Sequence, residues 1–286
     1  MRRTVYVTAE RLAAELRWQK PPVLLDVRWS LANPDGRAAF AANHLPGAQY
    51  VDLETELSGK VGADTGRHPL PEIADLQRAA RRWGINDGDA VVCYDDSDGA
   101  GAARAWWVLK WAGVENVRIL DGGYRAWAGH GIIVSDRYES GRPKRKGRRP
   151  RGNVTLSAGH LPTISAQEAA HFPGVLLDAR APMRYRGEFE PLDPRAGHIP
   201  GAINAPYTAN LTPAGTIRPE QELQNRFHAL GALNDDPVAV YCGSGVTAAH
   251  NVAALASLGV EAALYPGSWS QWSSDPRRPA EVGEGR

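Results

Sequence analysis

The chain has 286 residues, 43% of them hydrophobic, and a formal net charge of +1; it is long enough for one large or two medium domains and shows no overall attraction for nucleic acid. No apolar run approaches the roughly 20 residues that span a bilayer, and the N-terminus lacks the apolar stretch of a signal peptide. The only cysteines are Cys93 and Cys242, so a disulfide framework is not expected and a reducing cytoplasm is the expected location.

The first half alternates helical patterns with short apolar runs. Helices are predicted over Ala9–Leu16, Ile73–Trp83 and Ala100–Trp111, with Thr8 as the N-cap of the first, and strands over Val23–Val27, Val91–Tyr94 and Val117–Leu120. Short β-branched strands alternating with helices are typical of an α/β fold with a parallel sheet flanked by helices.

A basic segment separates the two halves. Seven of the twelve residues from Gly141 to Gly152 are Lys or Arg, and none is acidic. Such a run is either a patch for a polyanion or a solvated linker that its own charges keep extended. No aromatic residue lies inside it to stack on bases, which favours a linker over residues 137–157 and makes nucleic acid an unexpected partner.

The second half repeats the first. Strands are predicted over Gly174–Asp178, Val238–Tyr241 and Ala262–Tyr265, and helices over Gln221–Leu230 and Thr247–Leu258. Four segments recur in the same order: Leu24–Arg28 with Leu176–Arg180, His44–Ala48 with His198–Ala202, Val91–Asp95 with Val238–Cys242, and Gly122–Trp127 with Gly267–Trp272. We therefore predict two homologous domains, over residues 1–136 and 158–286.

Cys242 begins the most informative motif, Cys-Gly-Ser-Gly-Val-Thr, which lies between a predicted strand and a predicted helix. Ligands of open α/β sheets bind at the carboxyl ends of the strands, where this cysteine lies. Glycines let backbone N–H groups turn inward, and a helix N-terminus favours the reactive thiolate. The alternative is a small buried residue at the start of a helix.

The doubled domain, the His-(Leu/Ile)-Pro-Gly-Ala motif at His44 and His198, and the Cys242 motif together resemble a tandem-domain sulfurtransferase of the rhodanese family from about Val5 to Pro279. The cysteine loop is similar to that of the 3-mercaptopyruvate branch, whereas thiosulfate-preferring members more often carry Cys-Arg-Lys-Gly-Val-Thr. The resemblance implies catalysis in the second domain, a cysteine persulfide and no obligatory organic cofactor.

Sulfur transfer needs a thiolate nucleophile, and the sequence predicts that Cys242 supplies it. Ser244 is expected to offer its hydroxyl to the loop. Thr247 offers a second hydroxyl, which could instead cap the helix. Backbone N–H groups are expected to hold the persulfide and its negative charge, from Gly243, Gly245, Val246 and Thr247.

A small anionic sulfur donor needs cationic partners. Arg184 lies where the family carries a substrate-binding arginine, and an arginine fork suits a carboxylate. The second arginine of the mercaptopyruvate branch follows Glu-Pro, but here that segment is shorter and Arg195 is displaced. Arg186 or Arg195 could compensate, each could instead be in a surface salt bridge, and the choice of donor stays open.

The first domain is predicted to be catalytically silent, because Asp95 stands where the repeat has Cys242. The surrounding acids would repel an anion, and they lack the EF-hand pattern, so no metal site is predicted. The resemblance implies a first-domain acid and histidine near the loop serine; Asp35 and His44 fit that relay, although His44 could equally be structural, as its repeat partner is expected to be.

The sequence thus predicts a sulfurtransferase that accepts sulfur from 3-mercaptopyruvate or thiosulfate and passes it to cyanide, a thiol or a thioredoxin-like protein. The alternative is a non-catalytic sulfur carrier or regulatory module that receives persulfide from a partner. A cysteine phosphatase is disfavoured, since Ala248 stands where that chemistry needs an arginine six residues after the cysteine.

Overall fold

Two parallel β-sheets form the centre of the molecule. The computed structural model describes residues 2–62, 64–129 and 150–285. The first sheet has the order β1-β5-β4-β2-β3, and the second has the order β7-β6-β8-β9. In chain order the strands are β1 (Tyr6–Val7), β2 (Val23–Asp26), β3 (Gln49–Tyr50), β4 (Val91–Tyr94), β5 (Val117–Leu120), β6 (Val175–Asp178), β7 (Ile203–Asn204), β8 (Val238–Tyr241) and β9 (Ala262–Leu264).

Helices flank both sheets. Those of the first unit are α1 (Arg2–Val5), α2 (Ala9–Glu15), α3 (Arg37–Ala42), α4 (Leu53–Glu56), α5 (Ile73–Arg82), α6 (Ala100–Trp111) and α7 (Gly123–Gly129). Those of the second unit are α8 (Ala166–Ala170), α9 (Pro182–Tyr185), α10 (Glu220–Ala229), α11 (Val246–Ser257) and α12 (Ser268–Ser274), with a 3₁₀ turn at Tyr207–Asn210.

The predicted parallel α/β architecture is confirmed. Each predicted strand and helix is present with ends shifted by one residue at most, and the Thr8 side chain accepts a hydrogen bond from the N–H of Arg11, as expected of an N-cap. Three strands of two residues were not predicted, at Tyr6–Val7, Gln49–Tyr50 and Ile203–Asn204. They are too short to show a hydrophobic period.

The two units share one hydrophobic core, because α6 packs directly against α11. Each helix is buried on nearly all sides and rich in alanine, so the two backbones come close together. The largest apolar cluster runs from Val23 and Val91 of the first sheet, through both helices, to Val238 and Leu264 of the second. This packing fixes the position of each unit against the other.

The predicted solvated linker differs from what the structure shows over its described part. Residues 137–149, which hold most of the basic run, lie outside the described residues. The N–H groups of Gly152 and Val154 donate to carbonyls at the end of α5, and that of Ser157 donates to Ala112. Val154 and Leu156 are buried against the first unit, so hydrophobic burial and backbone pairing hold this stretch in place.

Within these described ranges, no helix has the length and apolar character needed to cross a membrane. The same ranges contain no group of three or more side chains arranged to hold a metal ion.

Candidate active site

Cys242 lies directly after β8, almost fully buried, at the carboxyl edge of the second sheet. Its Sγ accepts a hydrogen bond of 3.1 Å from the N–H of Gly245. Gly245 begins α11 with φ +81°, a left-handed conformation that glycine adopts without steric cost. The carbonyls of Cys242 and Gly243 accept hydrogen bonds from the N–H groups of Trp269 and Ser270. These bonds anchor the loop to α12 through its carbonyl oxygens, and the N–H of Gly245 is directed at the sulfur.

A chain of hydrogen bonds runs from the first unit to this loop. Ser244 Oγ lies 2.7 Å from Nδ1 of His68, and Nε2 of the same ring lies 3.0 Å from Oε1 of Glu54. Trp29 Nε1 donates to that same oxygen at 2.6 Å and its ring packs edge-on against His68. The contact between Ser244 and His68 crosses from one unit to the other.

The protonation state of His68 follows from its surroundings. Burial lowers its pKa, Glu54 acts in the opposite direction, and the nearby Arg104 and Arg67 lower it further. The ring is therefore neutral at neutral pH, with one nitrogen donating and the other accepting. With Nε2–H donating to Glu54, Nδ1 accepts the hydroxyl proton of Ser244.

Two arginines flank the entrance to the loop. A methyl group placed on Gly243 would lie 3.2 Å from Nη2 of Arg67 and 3.3 Å from Nη1 of Arg184. Their other nitrogens are held by acids: Arg67 Nη1 by Asp193, and Arg184 Nε and Nη2 by Glu190 and Asp193. Across the described part of the chain, the two nitrogens that face Gly243 donate to no protein acceptor, so they remain available for an anion.

The predicted roles of Arg186 and Arg195 need correction. Arg195 donates to four backbone carbonyls around the end of α12, those of Trp272, Ser273, Asp275 and Arg278. Arg186 pairs with Glu188 and Glu284. Both side chains are thus engaged elsewhere, and Arg67 of the first unit is the second arginine beside Gly243.

The predicted relay through Asp35 and His44 also needs correction. His44 stacks on Phe40 with ring centroids 4.1 Å apart, and its Nδ1 donates to the Phe40 carbonyl at 2.8 Å. Its repeat partner His198 makes the equivalent pair of contacts, and Asp35 is exposed in the loop before α3. The histidine of the repeated motif thus fixes a turn, and the side chain beside Ser244 comes from His68.

His68 and Arg67 were not identified from the sequence because they lie in an irregular loop between α4 and α5. One signal was available: this Arg-His pair has no counterpart in the second repeat. A residue that only one of two homologous domains carries is not required by their common fold and is therefore a candidate for a functional role, even in the domain without the nucleophile.

In the first unit, the loop equivalent to the Cys242 loop is occupied by the side chain of its own residue Asp95. Both carboxylate oxygens of Asp95 are occupied, accepting the N–H groups of Ser97, Gly99 and Ala102. Burial raises the pKa of Asp95 to about 6. Cys93, two residues earlier, lies inside β4 and is fully buried, and burial raises the pKa of its thiol, so it is a core residue as predicted.

Comparison with known proteins agrees with this architecture. A family model described as Rhodanese-like domain matches twice, over residues 8–130 and 163–275. The sequence is 50% identical to a Mycobacterium tuberculosis protein named putative thiosulfate sulfurtransferase SseB, covering 98% of this chain and 97% of that one. It is 46% identical to a Pseudomonas aeruginosa protein named probable 3-mercaptopyruvate sulfurtransferase, covering 97% and 98%.

Solved structures show the same fold. The crystal structure of SseA from Escherichia coli, described as a 3-mercaptopyruvate sulfotransferase with the rhodanese fold, superposes with a TM-score of 0.79 at 31% identity, covering 93% of this chain and 99% of that one. The 3-mercaptopyruvate sulfurtransferase of Leishmania major superposes with a TM-score of 0.78 at 30% identity, covering 94% and 74%.

Gly66 allows the loop that carries His68 to approach the second unit. A methyl group on Gly66 would lie 2.3 Å from the carbonyl oxygen of Gly267, so Gly66→Ala should push this loop outward and expose the His68 ring. Because burial is the main cause of its lowered pKa, exposure should raise that pKa towards about 6.5. The measurement is NMR titration of the ring. Gly129→Ala, whose added methyl meets nothing within 4 Å, is the control; an unchanged titration in Gly66→Ala would contradict this account.

Proposed function

This chain belongs to the rhodanese family, and we propose that it is a sulfurtransferase that moves a sulfane sulfur from 3-mercaptopyruvate or thiosulfate to a nucleophilic acceptor through a persulfide on Cys242. The observation that carries the proposal is the N–H of Gly245 directed at Cys242 Sγ at a helix N-terminus. This arrangement stabilises negative charge on sulfur both before and after transfer.

The chemistry has two steps. The thiolate of Cys242 attacks the transferable sulfur of the donor, which is the outer sulfur of thiosulfate or the thiol sulfur of 3-mercaptopyruvate, and an S–S bond forms. With thiosulfate, the donor's own S–S bond breaks and sulfite leaves with the electron pair. The acceptor then attacks the outer sulfur, so that cyanide leaves as thiocyanate, or a thiolate leaves as its own persulfide. Both routes regenerate the thiolate of Cys242, and no redox cofactor is needed to balance either step.

Sulfur transfer from 3-mercaptopyruvate also requires a proton transfer. Its C–S bond breaks, the electron pair becomes the enolate of pyruvate, and carbon 3 must gain a proton. The donor's thiol loses one proton, so the reaction balances if a hydroxyl and a neutral imidazole carry it between the two atoms. Ser244 and His68 form such a pair. Sulfite leaves without needing this proton, so the pair favours 3-mercaptopyruvate as the preferred donor.

The donor's anionic group would bind between Arg67 and Arg184. The two nitrogens facing Gly243 are the ones that Asp193 and Glu190 leave unoccupied. Both acids nearly neutralise the arginines in the free protein, so the anion binds mainly through directed hydrogen bonds rather than through net charge. A thiol or a thioredoxin-like protein would be the acceptor.

Replacing the nucleophile tests the mechanism. Cys242→Ser should abolish turnover with both donors while leaving the fold intact, because the side chain changes by one atom. Incubation with donor should add the mass of one sulfur atom to the wild-type protein and none to the variant, as read by intact mass spectrometry. Cys93→Ser should keep the added sulfur. Residual turnover of more than a few per cent in Cys242→Ser would contradict the persulfide route, and a wild-type persulfide without turnover would support the carrier alternative.

Ser244→Ala should separate the two donors. We expect kcat/KM for 3-mercaptopyruvate to fall about a hundredfold, a typical contribution of general acid–base catalysis, and that for thiosulfate to change less than about threefold. Steady-state kinetics with cyanide as acceptor give both values. Equal losses for the two donors would show that the hydroxyl serves the loop rather than proton transfer.

Removing either of the two arginines beside Gly243 should weaken donor binding. Arg67→Met and Arg184→Met should each raise KM for 3-mercaptopyruvate by about tenfold or more, since a hydrogen bond to a charged group contributes about 1.5–3 kcal/mol. Arg186→Met is the matched control, because Arg186 pairs with Glu188 away from the loop, and its KM should stay unchanged. A normal KM in Arg67→Met would remove Arg67 from the site.

A further inference from the structure

The helices that join the two units are related by the repeat, and each reaches the other unit's loop. Both have twelve residues and begin at a left-handed glycine, Gly99 before α6 and Gly245 before α11. Their fifth residues, Arg104 and His250, therefore correspond. A methyl group on Gly245 would lie 3.3 Å from Nη1 of Arg104, and one on Gly99 would lie 3.3 Å from Nε2 of His250. Each loop thus receives one polar side chain from the opposite unit at the same register.

Arg104 is a fully buried cation that is held by carbonyl oxygens alone. Its Nη1 donates to the carbonyl of Gly245 at 3.3 Å, and its Nη2 donates to those of Leu57 and His68 at 3.2 and 3.0 Å. Its Nε has no hydrogen-bond partner. Among the described residues, no carboxylate forms an ion pair with it. A buried guanidinium without a counter-ion destabilises the folded state, so its presence calls for a negative charge nearby.

The candidate counter-ion is the sulfur of Cys242. Gly245 lies between the two groups: its N–H donates to Sγ at 3.1 Å, and its carbonyl accepts from Arg104. Burial lowers the pKa of Arg104 to about 10, and the charge of Cys242 acts in the opposite direction.

We propose that Arg104 is a positioning residue of the first domain whose buried charge stabilises the negative charge on Cys242 sulfur, in the thiolate and in the persulfide. The persulfide part of this statement rests on the sulfur-transfer function proposed above. The first domain, which lacks a nucleophile at the matching position, would then contribute a buried cation to the nucleophile of the second.

In the first unit, the loop around Asp95 faces His250 at the position that matches Arg104. Burial lowers the pKa of His250 to about 4, so it carries no charge at neutral pH. The loop it faces already has the carboxylate of Asp95 satisfied by three N–H groups, and Asp98 accepts the hydroxyl of Tyr207. Of this matched pair of side chains, the charged one therefore faces the loop in which sulfur must carry charge.

The test is the pH dependence of alkylation of Cys242 by iodoacetamide, read by peptide mass spectrometry. Arg104→Met and Arg104→Gln should move the midpoint of this profile upward by about one pH unit or more, a tenfold loss of rate on the acid side. Arg104→Lys keeps a cation whose own pKa falls on burial, so its midpoint should lie between those of the wild type and the neutral variants. The other ionisable groups around the loop are unchanged in these variants: Arg67 and Arg184 beside Gly243, His68 beside Ser244, and the Tyr207–Asp98 pair.

His250→Gln is the matched control, because it alters the corresponding position of the same interface without changing the charge near the sulfur. It should leave the alkylation midpoint in place even if it lowers the Tm. Folded Arg104→Met or Arg104→Gln protein with a wild-type profile would overturn the proposal. If neither neutral variant folds, Arg104→Lys decides: an upward displacement of the midpoint upholds the role of the charge, and an unchanged midpoint refutes it.

Alkylation of Cys242 does not depend on turnover, so the role of Arg104 and the sulfur-transfer reaction can be refuted independently of each other. Unchanged alkylation in Arg104→Met together with normal sulfur transfer by the wild type would remove only the role of Arg104. A shifted alkylation midpoint in a protein that turns over neither donor would remove only the proposed reaction.

Discussion

The packing of α6 against α11 is the constraint on which the rest of the structure depends. The two helices are buried on nearly all sides and share one apolar cluster with both sheets. Alanine-rich faces let the backbones approach closely, and this fixes the distance between the loops that precede the two helices. The contacts that His68 and Arg104 make with the Cys242 loop depend on that distance.

The proposed active site is consequently divided between the repeats. The second unit supplies Cys242, the N–H of Gly245 and Arg184, while the first supplies His68 and Arg67. The first unit has Asp95 at the position of Cys242, and this carboxylate satisfies the N–H groups of its own loop. Elsewhere the first unit presents His68 and Arg67 to the loop of its partner.

The arginines around the Cys242 loop differ in whether they have carboxylate counter-ions. At the entrance, Arg67 and Arg184 are compensated by Glu190 and Asp193, which orient the arginines and lower their attraction for unrelated anions. Beneath the loop, Arg104 has no such compensation among the described residues. An anion is therefore favoured most strongly where the sulfur itself lies, because an uncompensated charge in a dry environment acts at greater strength than an exposed one.

The sequence alone determined the repeat, the parallel α/β fold, the position of Cys242 between strand and helix, and the family, because these depend on local periodicity and on short motifs. It assigned the partners of Ser244 and the second arginine to Asp35, His44, Arg186 and Arg195, and the structure places those side chains elsewhere. Only tertiary packing decides which loop of one domain meets the active loop of the other. His68 lies 176 residues before Ser244, in a loop without a periodic pattern, and no local signal encodes a contact made across a shared interface.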